Sequence, residues 1–403
     1  MVLNFLIARS SFTRYKSTHV QLGSLLQHNH NASFFLFHSF IFGTKCGKGD
    51  TFTVSYLVNS CGVSPDLAYE LSNRVNLKTP DGPNAVIDLL NNYGFSKTHL
   101  AKLVEKHPSV LVAKAENTLL PKLEFFRSIG VSNTDMPKII LRNHFILMSS
   151  LKNRLIPRYE ILRSVVRDDQ EAVRSLKNAA FSITYGYVMS HLVRNIKVLK
   201  QSSVPQASIS ILMMHFPSTA YMKHYRFVEA VKKAKEIGFD PLKTTFIKAV
   251  QVFLTTNKTM WDSKFEAYER WGWNQEIALQ AFRKFPDFMK LSKVTYTKKM
   301  SFLVKDMGLL SEDIADYPQV LAYSLEKRII PRFSVIKILQ SKGLLKNELH
   351  FSSFMCINEE NFLKKFVIKF KDDLPLLSDV YKDLMNHQKN ILKDECLCLL
   401  ARN

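Results

Sequence analysis

Five basic side chains recur along the chain at a nearly constant interval, and this arrangement could attract phosphate groups. They are Arg127, Arg163, Lys200, Lys235 and Lys305, which follow one another after 36, 37, 35 and 70 residues. If one interval corresponds to one structural unit, and the last interval to two, the five charges lie on the same edge of successive units. A stripe of this kind binds a phosphate backbone without reading its sequence, and its affinity falls steeply as salt rises.

A simpler interpretation of the five positions is that they are solvated and that their long aliphatic stems cover the edge of a helix. Two denser runs of charge leave the same choice open. Residues 283–305 hold seven Lys or Arg against Asp287 alone, and residues 223–258 hold eight against three acids. Such runs are usually solvated helix faces, although in a helical array they can also line a groove.

The basic character is not confined to one end of the chain. Lys and Arg outnumber Asp and Glu by 56 to 35, a net charge of +21, which favours an anionic partner. The first 49 residues contain no acid and only five of the basic residues, so +16 remains without them. A basic, acid-free, Ser-rich start is typical of an organellar transit peptide. We therefore predict that residues 1–50 are a removable organellar transit peptide, whose composition suits the mitochondrion or the chloroplast.

Patterns that would indicate an enzyme are missing from the sequence. The segment GTKCGKGD (43–50) resembles a phosphate-binding loop, but three residues instead of four separate Gly43 and Gly47, and Gly49 replaces the Ser or Thr that holds magnesium. The five cysteines lack the paired spacing of a zinc site. No nucleophile elbow, HExxH motif or carboxylate pair is present. The sequence predicts no enzyme activity, no cofactor and no metal.

The elements that would position the five cations are repeated units of about 35 residues. Segments ending in an apolar residue and glycine, such as LLNNYGFS (89–96) and EFFRSIGVS (124–132), align throughout the chain. The aligned register positions are Gly62, Gly94, Gly130, Val166, Ser203, Gly238, Gly272, Gly308 and Gly343, at intervals of 32, 36, 36, 37, 35, 34, 36 and 35 residues. A fixed period of this size indicates stacked supersecondary units. Each of the five cations lies three residues before a register position.

The residues around each register position predict where one helix ends and the next begins. Glycine takes the left-handed conformation that ends a helix, and the following residue is apolar in most copies. One residue later comes a side chain that can cap a new helix, namely Ser64, Ser96, Ser132, Asp168, Asp240 or Asn274. We call the register position, with three residues on either side, a joint. Val166 and Ser203 depart from glycine, and residues 167–203 form a degenerate repeat.

Proline divides each unit into two helices. The first helix stops before Pro108, Pro217 or Pro286, each 14 residues after its register position, because proline disfavours helix at the preceding residue. A short apolar stretch follows, and the second helix often opens with proline, as in LLPKLEFF (119–126) and IIPRFSVI (329–336). Each helix carries one apolar stripe, so neighbouring units must stack to bury it.

These features predict an all-α fold, a solenoid or superhelix of about 35-residue helix-pair repeats. The repeats occupy residues 51–345, and residues 346–403 form a C-terminal helical cap and tail. Trp273 occupies a place where other copies hold Val or Phe, so we expect it in the core. No run reaches the length of 18 apolar residues, so no membrane insertion is predicted.

The period, the glycine joint, the proline break and the LxPKLEFFxxxG helix together resemble the mitochondrial transcription termination factor (mTERF) family. The resemblance covers roughly residues 52–375, is clearest in residues 93–132 and 324–339, and is strongest toward the land-plant organellar branch. It implies left-handed superhelices of helix pairs with a short 3₁₀ segment, which bind nucleic acid along a basic concave path.

The resemblance further implies an organellar factor that regulates transcription termination or initiation by binding double-stranded DNA, the partner we favour. Partly on the same ground, we expect the mitochondrion, with the chloroplast as the alternative. RNA remains possible, because members of the plant branch act in intron splicing or RNA maturation. A protein-binding scaffold of the HEAT or armadillo type is a third alternative. The expected nucleic-acid-binding residues are the five in-phase cations, from Arg127 to Lys305.

Overall fold

The computed structural model describes residues 51–345 and 349–386, and within these ranges it contains helices and no β-strand. The predicted transit peptide (1–50) and the last part of the predicted tail (387–403) lie outside the described residues. The α-helices are α1 (Thr51–Asn59), α2 (Pro65–Ser72), α3 (Asp81–Asn92), α4 (Lys97–Lys106), α5 (Leu120–Ser128), α6 (Met136–Arg142), α7 (Phe145–Met148), α8 (Ile156–Arg163), α9 (Asp169–Asn178), α10 (Gly186–Gln201), α11 (Gln206–His215), α12 (Pro217–Ala220), α13 (His224–Glu236), α14 (Thr244–Thr255), α15 (Lys258–Glu269), α16 (Gln275–Lys284), α17 (Lys293–Ser301), α18 (Ser311–Asp316), α19 (Ile330–Ser341), α20 (Ser352–Met355), α21 (Glu359–Phe366) and α22 (Leu377–Asn386).

Short helical segments of other types connect several of these helices. The 3₁₀ segments are Pro108–Val112, Ala180–Ile183, Pro286–Lys290, Pro318–Ala322 and Ile368–Phe370, and the π-helical turns are Ala115–Leu119, Leu151–Leu155, Phe302–Asp306 and Leu325–Ile329. The all-α helix-pair solenoid predicted from the period is therefore confirmed. One cluster of buried apolar side chains extends from Tyr56 to Tyr381. Across the described ranges, no helix combines the length and apolar character that crossing a bilayer requires.

The joints have the predicted backbone geometry wherever the register residue is glycine. All seven register glycines have positive φ, between 70° and 93°. In the joint of Gly130, the N–H of Val131 donates to the carbonyl of Phe126 at 3.0 Å, which is the six-residue ring that closes a glycine-ended helix. The residue after the glycine is then turned inward, and Trp273 is fully buried as predicted.

The two register positions without glycine behave differently from each other. Ser203 adopts φ of +60°, the only positive φ of a non-glycine residue among the described residues, and Val204 closes the usual ring to Leu199 at 3.0 Å. Val166 does not have positive φ, because a β-branched side chain is strained there. Its N–H instead lies 3.4 Å from the carbonyl of Leu162, in a looser turn.

The strain at Ser203 leads to a stability prediction. Because a side chain in the left-handed region costs about 1 kcal/mol that glycine does not, Ser203→Gly is expected to raise the free energy of unfolding by up to about 1 kcal/mol. Ser202, the preceding residue, has an ordinary φ of −90°. Ser202→Gly should therefore lower stability slightly. Thermal unfolding of both variants measures the difference, and equal shifts would contradict the assignment of strain to Ser203.

Most of the predicted helix caps are present. Ser96, Asp168 and Asn274 each accept a hydrogen bond from the backbone N–H three residues on. The hydroxyl of Ser132 likewise accepts a hydrogen bond from the backbone N–H of Asp135 at 3.2 Å. Ser64 stands at the right place, but its side chain makes no capping bond.

The second helix begins earlier than the sequence suggested. Pro121 lies in the first turn of the α-helical part, as predicted, but a π-helical turn over Ala115–Leu119 precedes it directly. The same arrangement recurs at Leu151–Leu155 and Leu325–Ile329, before Pro157 and Pro331. Proline has no N–H to donate to the carbonyl four residues back, and its ring crowds that carbonyl. A wider turn before the proline accommodates both effects.

Candidate nucleic-acid interface

All five predicted cations lie in the last turn of a helix that ends at a joint. Arg127 is in α5, Arg163 in α8, Lys200 in α10 and Lys235 in α13, while Lys305 is in the π-helical turn Phe302–Asp306. The side chains of Arg127, Lys200, Lys235 and Lys305 are exposed, and that of Arg163 is half-buried.

In residues 51–345, three pairs of successive joints are in contact. A Cβ atom added at Gly94 would overlap the carbonyl oxygen of Asn133 and lie 2.8 Å from its carbonyl carbon, so the backbone of the next joint passes directly against this glycine. The side chain of Gln206 donates to the carbonyl of Val165 at 2.8 Å. The hydroxyl of Ser311 donates to the carbonyl of Trp271 at 2.5 Å.

These contacts share one geometry. In each, the residue three positions after one register position reaches the preceding joint, so the two joints of each of these three pairs lie side by side. We call the succession of joints along the array the joint edge. The indole N–H of Trp273 strengthens it by donating to the carbonyl of Ser311 at 3.0 Å and to its hydroxyl at 2.8 Å.

Two of the five cations lie over the joint that precedes their own. The guanidinium carbon of Arg127 is 3.9 Å from the centre of the Tyr93 ring, a cation–π contact. Lys200 lines a surface cavity of about 440 Å³ together with Ser164 and Val165, residues of the preceding joint. Arg163 differs, because it pairs with Asp169 at 2.8 Å and donates to the carbonyl of Val166 at 3.2 Å. In the copy whose register residue is Val166, the cation therefore contacts its own joint and not the preceding one.

The helix ends themselves can also explain why the five cations lie where they do. A positive side chain in the last turn of a helix stabilises the partial negative charge of the carbonyls there, typically by about 0.3–1 kcal/mol. The periodic placement therefore does not by itself require a ligand. Measuring both the stability and the nucleic-acid affinity of a variant separates stabilisation of the helix ends from ligand binding.

A different set of basic side chains, which the sequence analysis did not single out, is used inside the fold. Lys122 is 6% exposed, and its ammonium group donates to the carbonyl of Leu147, at the end of the short helix of the next repeat. Lys299 is 7% exposed and donates to the carbonyls of Leu321 and Tyr323, both at 2.7 Å. In each case the side chain satisfies carbonyl groups that a short helix leaves without partners.

We call these contacts the inter-repeat links. They run from the second helix of one repeat to the short segment of the next, except that Arg226 reaches the last turn of the first helix α14. Burial lowers the pKa of Lys122, Lys264 and Lys299. The links are Lys122 to Leu147, Arg158 to Ile183 and Thr184, Asn195 to Ala220 and Met222, Arg226 to Leu254, Lys264 to Leu291, Lys299 to Leu321 and Tyr323, and Arg332 to Phe354, Met355 and Ile357. Asn195 shows that the function of the link is to donate hydrogen bonds, and that it needs no charge.

The sequence contains a pattern from which some of these links could have been predicted. Lys122, Arg158 and Arg332 each follow directly after the proline of the second helix. A basic residue at a fixed place beside an apolar stripe predicts a buried donor as readily as a ligand contact. Lys264 and Lys299 lack the proline, so only their phase in the repeat could have identified them.

The first helices are joined by a second set of side-chain to backbone contacts. The residue twelve positions after the register donates to a carbonyl in the next first helix. Lys106 donates to Leu141 at 3.1 Å, Arg142 to Lys177, and Asn178 to Met214 at 2.7 Å.

Most of the basic run at 283–305 is also used within the fold. Arg283 donates to the carbonyl of Ile237 at 2.9 Å, and Lys299 is an inter-repeat link. Lys284, Lys290 and Lys298 pair with Asp316, Asp287 and Glu326, respectively. This leaves Lys293 and Lys305 without a hydrogen-bonding or ionic partner within the described part of the chain. The run is therefore a weaker candidate interface than its charge suggested.

The described residues form a helical-repeat protein in which five helical segments that end at a joint carry a basic side chain in their last turn. The family model of mTERF matches residues 87–303 and 246–363, and the chain belongs to the mTERF family. Over 75 residues it is 31% identical to an Arabidopsis thaliana protein, "Transcription termination factor MTERF15, mitochondrial". That match spans 19% of this chain and 17% of the relative.

Proposed function

We propose that this chain is an organellar factor that binds nucleic acid along the joint edge and acts in transcription. The observation that carries the proposal is the stacking of successive joints, five of which have a cation three residues before the register position. A phosphate backbone lying along that edge would meet Arg127, Arg163, Lys200, Lys235 and Lys305 in turn. The function is binding, with no enzymatic step.

Double-stranded DNA is the favoured partner, for transcription termination or initiation. The name of the Arabidopsis relative supports a role in transcription and a mitochondrial site, with the chloroplast as the alternative. RNA is the other candidate ligand, in splicing or RNA maturation. The proposal keeps residues 1–50 as a removable transit peptide, 51–345 as the repeat array and 346–403 as a C-terminal cap and tail.

The test is fluorescence anisotropy of a labelled organellar duplex over a salt series. Each phosphate contact contributes about 0.9 to the slope of log affinity against log salt for B-DNA. Changing all five cations to Gln should therefore lower that slope by about 4 and weaken binding at low salt by at least about tenfold. Single-stranded and double-stranded RNA of matched length identify the preferred ligand.

A matched control removes the same charge from elsewhere. Lys78, Lys102, Lys258, Lys364 and Lys371 are exposed and lie outside the positions three residues before a register position. Changing these five to Gln should alter the slope far less. If both variants lose affinity equally, only net charge matters. If the first variant loses a few degrees of thermal stability but no affinity, the cations serve only the helix ends.

A further inference from the structure

A second set of lysines lies at the other end of the second helices, away from the joints. Of the seven second helices that begin between residues 115 and 325, six have a lysine at the N-cap or among the first three residues, and Tyr187 occupies this place in α10. These lysines lie 19 to 22 residues after a register position. We call them the start row, which consists of Lys114, Lys152, Lys223, Lys258, Lys293 and Lys327.

The charges of the start row are not neutralised within the described part of the chain. All six side chains are exposed, and in residues 51–345 and 349–386 none of their ammonium groups forms a hydrogen bond, an ion pair or a cation–π contact. Glu116 and Glu326 are the acids in these first turns, and Glu326 pairs with a different lysine, Lys298, at 2.7 Å. The row is therefore available to an external anion.

Stabilisation of the helix ends does not explain the start row. The start of a helix carries a partial positive charge, so an acid is favourable there and a cation is unfavourable. Four of the first helices follow this rule, since α2, α9, α16 and α18 have an acid in the first turn. The second helices α13, α15 and α17 have none, and a lysine immediately precedes or begins each of them. A charge that is unfavourable in the free protein indicates an anionic partner.

The inter-repeat links bring the starts of successive second helices together. Asn195 donates to the carbonyl of Met222 at 2.8 Å, directly before Lys223. Lys299 donates to the carbonyl of Tyr323 at 2.7 Å, four residues before the last lysine of the row. These contacts place the start of a second helix beside the second helix of the preceding repeat. Because packed helices lie about 8–10 Å apart, lysines of adjacent repeats follow one another at about that spacing.

The start row and the cations of the joint edge lie at opposite ends of the same helical segments. Lys223 is the N-cap of α13, and Lys235 lies in its last turn, 12 residues later. Lys293 begins α17, and Lys305 lies 12 residues later in the π-helical turn that continues it. At about 1.5 Å per residue, these pairs are separated by about 18 Å along the helix. The two rows therefore run side by side along the array.

We propose that the start row binds the second phosphate backbone of a DNA duplex whose first backbone lies along the joint edge. The proposal rests on the proposed function and deepens it, because it adds a second contact surface and requires a double-stranded ligand. The major groove of B-DNA is about 12 Å wide, so long side chains on rows about 18 Å apart reach the backbones on both of its sides. The major groove of an RNA duplex is narrower, and a single strand has one backbone and occupies one row.

The test compares a labelled DNA duplex with one of its strands alone, by fluorescence anisotropy of the full chain over a salt series. The start-row variant changes Lys114, Lys152, Lys223, Lys293 and Lys327 to Gln. On the duplex it should lower the slope of log affinity against log salt by about 4, and weaken binding at low salt by at least about tenfold. On the single strand the slope should change by less than about 1, because the joint edge still holds that backbone.

Two further measurements separate the start row from net charge and from a structural role. The control variant changes Lys78, Lys102, Lys364, Lys365 and Lys371, which are exposed and outside both rows, to Gln. It should keep the wild-type slope on the duplex. The thermal midpoint of the start-row variant should be equal to that of the wild type or higher, because the removed charges oppose the helix ends. Lys258 belongs to the row, so the matched control of the joint edge that includes it should lower the slope by about 1.

A start-row variant that keeps the wild-type slope on the duplex would overturn the inference, and a loss in the variant of the five joint cations would then still support the proposed function. Equal loss in the start-row variant and its control would overturn it in favour of net charge. Equal loss on the duplex and on the single strand would overturn the assignment to a second backbone. If the wild type binds no duplex, the proposed function fails together with this inference.

Discussion

Arg332→Met is expected to lower the free energy of unfolding by about 3 kcal/mol, because it removes a fully buried cation from its partners. The guanidinium donates to the carbonyls of Phe354 at 2.9 Å and Ile357 at 2.8 Å, and it pairs with Glu359 at 2.7 Å. It also lies 4.5 Å from the centre of the Phe362 ring. A methionine of similar length fills the space but removes the donor from the carbonyl of Phe354, while the carbonyl of Ile357 keeps Arg328 at 2.6 Å and Glu359 keeps Tyr381 at 2.7 Å.

A matched control is Lys298→Met. Lys298 also pairs with a glutamate, Glu326, at 2.7 Å, but both side chains are more than half exposed. Pairs of that kind contribute about 0–1 kcal/mol. Urea unfolding of the two variants gives the comparison, and equal losses would contradict a special role for Arg332. Arg332→Lys should be milder than Arg332→Met, since lysine makes the equivalent link at Lys122, Lys264 and Lys299.

The link at Arg332 also has an acid dependence of known sign. Burial by itself would raise the pKa of Glu359, but hydrogen bonds from Arg332 and Tyr381 outweigh it and lower the pKa overall. A carboxyl whose pKa is lower in the folded protein contributes stability above its unfolded pKa, and that contribution is lost as the pH falls through the folded pKa. Because Glu359 is about half exposed, solvent weakens this contribution, and we expect it to be small beside the loss of the buried Arg332.

Gly94→Ala is expected to cost at least about 3 kcal/mol, the largest effect among the glycine joints. Two penalties combine. Alanine is strained at a φ of +88°, and its Cβ would overlap the backbone carbonyl of Asn133 in the next joint. Because the obstacle is backbone, no rotation of a side chain can relieve it.

Gly130→Ala is the control, since its φ is +93° but nothing lies within 4 Å of an added Cβ. The free energy of unfolding of that variant should fall only by the cost of the backbone strain, about 1 kcal/mol. The difference between the thermal midpoints of the two variants measures the contact between the joints. If both variants lose the same stability, the close approach of Gly94 and Asn133 does not contribute.

The repeat period and the joints could be read from the sequence because they depend on local backbone chemistry. A glycine at positive φ, a capping side chain and a proline break each act within a few residues, so their order along the chain predicts the helices. Ser203 shows the limit of this reasoning, since the sequence could not say whether it would follow glycine or diverge as Val166 does. The ring closed by Val204 answers that question.

The sequence could not predict in the same way which basic residues are buried donors and which are exposed. Lys122 and Arg127 are five residues apart in one helical segment, yet one is a buried donor and the other lies exposed over Tyr93. Which face of a helix meets the next repeat depends on contacts across about 25 residues. Each of the five cations lies in the last turn of a helical segment that ends at a joint, and their use as a ligand surface is a proposal.

The inter-repeat links all point the same way, with the donor in an earlier repeat and the acceptor in a later one, so the array is directional. The ends of the array are therefore not equivalent, and a chain shortened after residue 345 would leave Arg332 without the carbonyls it binds, while a chain shortened from the other end would leave carbonyls without donors.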